Sequence, residues 1–155
     1  IPYLLSKKAK RMYWIRLLVR ARARQCDVVQ VYCSVIRSVL EYACPVWRPG
    51  LTKCQSDDLE RVQRRCLKLI YPSHTYSEAL TISGMEGLAV RRENITKKLF
   101  IQIRDERHVL HNLPPKRNTS STISLRNSYP YHIPIIKATR YGRACIPYCI
   151  SERYQ

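Results

Sequence analysis

Glycine is scarce, with four residues in a chain of 155. A phosphate-cradling loop needs several glycines in a short run, so nucleotide binding of the Walker or dinucleotide kind is excluded. Phenylalanine is scarcer, one against eleven tyrosines, and that aromatic set suits half-wet surfaces better than a dry interior. The seven cysteines fall at irregular positions without a CxxC pair, which argues against a secreted disulfide framework and a zinc knuckle. Cys33, Cys44 and Cys66 sit within apolar helical patterns, as reduced core thiols do, so the chain reads as intracellular, nuclear or cytoplasmic. No transmembrane segment or signal-peptide core is present in the sequence pattern. There is no internal repeat and no initiator Met before Ile1, so a fragment or processed product is expected.

Acidic residues are also few, 11 against 28 Lys and Arg, leaving a formal net charge of +17. Such an excess favours a polyanionic partner, because basic groups gain by displacing condensed counterions from phosphates. The excess is concentrated. Between Lys7 and Arg24 lie Lys7, Lys8, Lys10, Arg11, Arg16, Arg20, Arg22 and Arg24, with no acidic residue among them. A solvated face kept soluble by its charge is the bland alternative.

Periodicity predicts an all-α fold, a bundle of four to five helices followed by an irregular, basic, Pro-containing C-terminal tail. The expected division is a helical body over 1–112 and an extended tail over 113–155. The first helix is expected over Lys7–Arg24. The second, Asp27–Ala43, carries Val28, Val31, Tyr32, Val35, Ile36, Val39, Leu40 and Ala43 on one face, with Asp27 as N-cap. The third runs from about Thr52, where "TKCQ" fits a capping box, to Tyr71 before Pro72. Its apolar stripe is Leu59, Val62, Cys66 and Ile70, opposite a basic arc of Arg61, Arg64, Arg65 and Lys68. A short helix over Ser77–Ser83 follows a second capping pattern, Thr75 with Glu78, and ends at Gly84. The fourth long helix covers Leu88–Arg104, with Leu88, Arg92, Ile95, Leu99 and Ile103 inward, Phe100 beside them and Arg91, Lys97 and Lys98 outside.

Residues that could carry chemistry have simpler readings. Asp57, Asp58 and Glu60 lie near the start of the third helix, where its dipole favours negative charge. His108 and His111 are spaced like half a metal site, and Cys145 and Cys149 could add two thiolates, but surface histidines and free tail thiols account for them. Tail residues Tyr129, Tyr131, Tyr141 and Tyr148, mixed with Arg126, Arg140 and Arg143, could stack on unpaired bases or anchor the tail on the helical body. In "SVIRSVLEYACPVWRPG" Pro45 is expected to stop the second helix, with Cys44 as a packing thiol and Trp47 folding back over the bundle.

The stretch "YCSVIRSVLEYACPVWRPGLTKCQSDDLERVQRRCLKLIYPSHTYSEAL", Tyr32 to Leu80, resembles the segment after the palm in reverse transcriptases of LINE-type (non-LTR) retrotransposons, especially the Jockey-like group. The similarity extends through "RRENITKKLF", "HVLHNLPP", "SLRNS" and "TRYGRACIPYCI", and upstream through "KAKRMYWIRLL", so it covers nearly the whole chain. The resemblance implies the C-terminal, thumb-side part of an RNA-directed DNA polymerase, in which a helical thumb grips the template–primer duplex. It also implies that Mg²⁺ belongs to the paired aspartates of the palm, which lie upstream in the family and have no counterpart here. No cofactor is expected in this fragment, and the chain alone is not expected to polymerise. Asp57–Asp58 is on a different element, and the Cys/His knuckle of some relatives is missing.

The expected function is therefore sequence-independent grip on an RNA–DNA or DNA duplex through backbone phosphates. Lys7, Lys8, Lys10, Arg11, Arg16, Arg20, Arg22 and Arg24 are the first-choice contacts, and Arg61, Arg64, Arg65 and Lys68 form a second stripe. The missing palm and fingers of the same polyprotein would be further partners. The rival expectation is a decayed or co-opted retroelement fragment acting as a basic helical protein- or membrane-interaction module. A membrane helix should separate a basic from an apolar face, and Arg16 and Arg20 have Met12 and Val19 as near neighbours.

Overall fold

The computed structural model describes residues 2–115, 131, 135 and 138–151, and side chains from Arg11 onward except that of 140. Among the described residues the chain is all-α, with no strand. It divides into two compact units, Ile1–Ala43 with Leu51–Arg92, and Cys44–Gly50 with Glu93–Gln155. The expected boundary at 112/113 falls inside the second unit.

In the first unit, helix α1 spans Pro2–Arg20. It ends four residues earlier than the charge pattern predicts because Arg22 turns left-handed, at φ 55°. The Ala23 N–H then reaches the Leu18 carbonyl at 3.1 Å and the Arg22 N–H reaches Val19 at 3.1 Å, a Schellman closure with arginine where glycine is usual. Met12 and Ile15 face inward, and α1 packs on the long helix α5, Lys53–Ile70.

The expected second helix is built from three pieces: α2 Gln25–Val31, a π-helical segment Tyr32–Arg37, and α3 Ser38–Glu41. Val28, Tyr32, Ile36 and Leu40 are buried, spaced by four. In a regular α-helix each such step drifts about 40° round the axis. The wider turn of the π segment takes up part of that drift and keeps the four side chains in line. Val31, Val35 and Val39 are only half-buried, and Ala43 is exposed. Asp27 is not the N-cap: Arg24 holds that place with an extended backbone, and Asp27 lies in the first turn.

Helix α5 begins as predicted. The Gln55 N–H donates to Thr52 Oγ1 at 3.3 Å, and the Thr52 N–H donates to Gln55 Oε1 at 3.1 Å. Leu59, Val62, Cys66 and Ile70 are buried, joined by Leu67 and by Gln63, a polar residue the apolar pattern passed over. Burial pushes the Cys66 thiol up to about 12. Helix α6, Tyr76–Ser83, carries the second capping box and closes on Gly84 at φ 63°. Helix α7, Leu88–Ile103, starts in the first unit and from Glu93 belongs to the second. Its buried positions are Leu88, Arg92, Thr96, Phe100 and Ile103, while Ile95 and Leu99 are half-buried.

The second unit opens with α4, Cys44–Trp47, and a 3-10 turn, Arg48–Gly50. Pro45 does not end the preceding helix, which has already stopped at Glu41 before the left-handed Ala43 (φ 50°). It sits instead in the first turn of α4, where a missing N–H removes no helical hydrogen bond. Cys44 is fully buried, in keeping with a packing thiol, and Trp47 is half-buried. The region expected to be an extended tail contains α8, Thr139–Gly142, and α9, Cys145–Ser151. It also has a core: Phe100, Tyr131, Cys149 and Ile150 cluster, with the two rings edge-on at 6.0 Å. Arg48 pairs with Glu93 and lies 5.2 Å over the Tyr148 ring.

Candidate nucleic-acid interface

The basic residues from Lys7 to Arg24 are not equivalent. Arg11 is half-buried, and its Nη1 donates to the Val35 carbonyl at 2.8 Å. That carbonyl lies in the π segment, so the guanidinium holds the fold rather than facing a ligand. Arg24 is exposed but clamps Asp27, Nε to Oδ2 at 2.9 Å. This contact holds the Asp27 carboxyl below its ordinary range and raises Arg24. Arg16, Arg20 and Arg22 are exposed, and among the described residues their side chains have no hydrogen-bond or ion-pair partner. Helix α1 carries Lys7, Lys8 and Lys10, whose side chains lie outside the described residues.

On α5 the predicted arc exists: Arg61, Arg64, Arg65 and Lys68 are all exposed, opposite the buried stripe. Three of the four are already employed. Arg61 pairs with Asp58 at 2.8 Å, Arg64 lies 5.1 Å over the Tyr76 ring, and Lys68 Nζ donates to the Pro72 carbonyl at 2.7 Å. Arg65 is the member without a partner among the described residues.

Beside the unpartnered arginines α1 exposes Tyr13 (59%), Trp14 (56%) and Leu17 (44%), with the two rings edge-on at 6.2 Å. Tyr13 and Leu17 are interleaved with the basic residues, as Met12 and Ile15 are. At about 100° per residue, however, they lie opposite Met12 and Ile15, and that opposition was the available signal. The result is a face where aromatic surface and free guanidinium groups alternate, suited to a partner with both phosphate charge and stacked rings.

A polar network fixes the first unit behind this face. Gln63, fully buried, accepts from the Tyr32 hydroxyl at 2.8 Å and donates to the Tyr76 hydroxyl at 3.1 Å and the Glu86 carbonyl at 2.9 Å. The Tyr76 hydroxyl in turn donates to Glu60. The Glu60 carboxylate accepts from the Leu88 N–H at 3.3 Å and the Ala89 N–H at 3.1 Å, so it caps α7 from α5. Its charge serves the N-terminus of α7 and not, as expected, that of its own helix, whose first turn holds no acidic residue. Gly87 makes room: a Cβ there would meet Glu60 Oε1 at 3.1 Å. Burial, then the Glu60 contact, raise the Tyr76 hydroxyl above its ordinary range, and burial raises that of Tyr32.

Asp58 is tied to Arg61, Asp57 is exposed, and among the described residues no group of three or more His, Cys, Asp and Glu is placed to hold a metal. The His108 ring Nδ1 accepts from the Leu110 N–H at 3.1 Å, a local turn contact. Of the tail tyrosines, Tyr131 and Tyr148 pack within the second unit and Tyr141 is half-exposed; Tyr129, Arg126 and the Arg140 side chain lie outside the described residues. No helix among the described residues is long and apolar enough to cross a membrane. Comparison with protein-family models, with curated proteins and with solved structures returned no match.

Proposed function

We propose that this chain is the thumb-side part of a LINE-type reverse transcriptase and that it grips an RNA–DNA or DNA duplex through backbone phosphates, inside the cell. The observation that carries the binding half of this reading is the set of exposed, unpartnered Arg16, Arg20, Arg22 and Arg65 on one unit of a chain with net charge +17. The polymerase half is supported by the sequence resemblance from Tyr32 to Leu80. On this reading polymerisation, with its Mg²⁺, belongs to a palm elsewhere in the polyprotein, and this chain supplies position and charge.

Fluorescence anisotropy with an RNA–DNA primer–template duplex, titrated across salt, tests the grip. With about six phosphates neutralised, log affinity falls against log salt with a slope of about −4 to −6. A flat salt dependence overturns the reading.

The exposed Tyr13, Trp14 and Leu17 favour a second reading, a co-opted basic helical module for a protein or an anionic membrane. Vesicles with and without anionic lipid separate the two. Saturable vesicle binding without duplex binding establishes the second and removes the first.

A further inference from the structure

The second unit holds a cavity of about 310 Å³ lined by Leu113, Pro115, Tyr141, Cys145, Pro147 and Ile150, with Ala144 and Ile146 completing the wall. Its described lining is mostly apolar. Leu113 (59%) and Tyr141 (50%) are exposed at its rim, so it communicates with solvent, and its size falls at the small end of ligand-binding pockets. Among the described lining residues the thiol is that of Cys145, half-buried at the start of α9. One helical turn on lies Cys149, which is fully buried. A buried thiol that donates to a neighbouring sulfur stabilises the thiolate there, which lowers Cys145 below the ordinary thiol range. The other half- or fully buried thiols go the opposite way where a shift is resolved: burial raises both Cys33 and Cys66.

We propose that Cys145 is a modification site for electrophiles carrying an apolar tail, the α,β-unsaturated aldehydes in particular, with the adjoining cavity receiving the tail. The Cys145 thiolate adds through sulfur to the β-carbon, the electron pair of the carbon–carbon double bond moves toward the carbonyl, and the α-carbon takes a proton from water. No oxidant or second reactant is needed. Cys149 positions and polarises the attacking sulfur without bonding to the electrophile. The exposed Cys26 and Cys54 meet the same reagents in solvent without a cavity wall, and so serve as internal references.

The test treats the whole chain with nonenal or with acrolein, the same reactive group with and without a long tail, and reads adducts at each cysteine by peptide mass spectrometry. The ratio of nonenal to acrolein modification at Cys145 should exceed that at Cys54 by about tenfold, since only Cys145 has an apolar cavity beside it. Ala144→Trp, which fills the cavity, should bring the ratio back toward the Cys54 value while acrolein still reacts. Cys149→Ala should slow both reagents at Cys145 and leave Cys54 unchanged. Equal ratios at Cys145 and Cys54 in the unmodified sequence overturn the proposal. So does a high Cys145 ratio that survives Ala144→Trp.

Discussion

Helices α1 and α5 carry similar numbers of basic residues and pack against each other, yet they use them differently. On α5 the basic arc is largely consumed at home: Arg61 by Asp58, Arg64 by the Tyr76 ring and Lys68 by the Pro72 carbonyl. On α1 and just beyond it, Arg16, Arg20 and Arg22 face solvent, their side chains without a partner among the described residues. Counting basic residues therefore overstates the binding surface. What decides is the supply of local acceptors, and α5 has carboxylates one turn away that the region from Lys7 to Arg24 lacks altogether. Helix α5 works inward, through Gln63 and Glu60, while α1 offers its charge outward.

The sharpest break of that contrast lies in the α5 interior. Gln63→Leu should destabilise the first unit by about 2–4 kcal/mol, because the buried Tyr32 hydroxyl and the Glu86 carbonyl each lose a partner. Urea unfolding followed by circular dichroism measures this. Adding Tyr32→Phe to Gln63→Leu removes one orphaned hydroxyl and should recover about 1 kcal/mol. A neutral Gln63→Leu would mean that α5 does not organise the unit through its polar core.

The second test concerns the two arginine sets. Arg16→Gln, Arg20→Gln and Arg22→Gly together should reduce the salt slope of duplex binding by about 2–3 units. The matching α5 set, Arg61→Gln, Arg64→Gln and Lys68→Gln, should reduce it by about one unit or less, since those cations are partly neutralised or held away. Equal reductions would erase the distinction between the helices.

These contrasts also show what the sequence could disclose. The capping boxes at Thr52–Gln55 and Thr75–Glu78, the Gly84 stop and the Leu59–Ile70 stripe were legible, because each is a code written within a few residues of itself. Other features depend on groups far along the chain. Gln63 is buried because Tyr32, Tyr76 and Glu86 converge on it. Glu60 was expected to serve the N-terminus of its own helix; its target is instead α7, and only because Gly87 allows the approach. The π segment has no local signature; Arg11 meets its Val35 carbonyl from another helix. The end of α1 was missed because its left-handed residue is an arginine rather than a glycine. For the candidate interface, residue types were readable and their employment was not. Asp27 and Asp58 each lie three residues from the arginine they pair with, Arg24 and Arg61, but whether a carboxylate reaches a guanidinium depends on rotamers.

Arg22 separates charge from conformation by itself. A left-handed non-glycine residue costs about 1–2 kcal/mol, partly offset by the greater freedom glycine has when unfolded. Arg22→Gly should therefore stabilise the first unit by about 0.5–1 kcal/mol while weakening duplex binding, with the salt slope falling by about one unit. Opposite signs in the two measurements would show that this strained arginine serves the partner. Loss of stability on Arg22→Gly would show that it serves the fold.

The smallest effect extends the comparison from arginine employment to capping. The α5 box uses neutral Gln55, whereas the α6 box uses Glu78, whose carboxylate accepts from the Thr75 N–H at 2.8 Å. That backbone hydrogen bond holds the Glu78 carboxyl below its ordinary range. A depressed folded-state pKa stabilises at pH values above the unfolded value, about 4.3 for Glu, and the contribution disappears as pH falls through the folded value. Glu78→Gln keeps a capping side chain without that proton. The unfolding midpoints of the two proteins should run parallel from neutral pH down to about 5 and converge or cross only below about 4, where Glu78 takes up its proton. A difference that is constant through acid would mean that the cap works through geometry alone, as Gln55 does on α5.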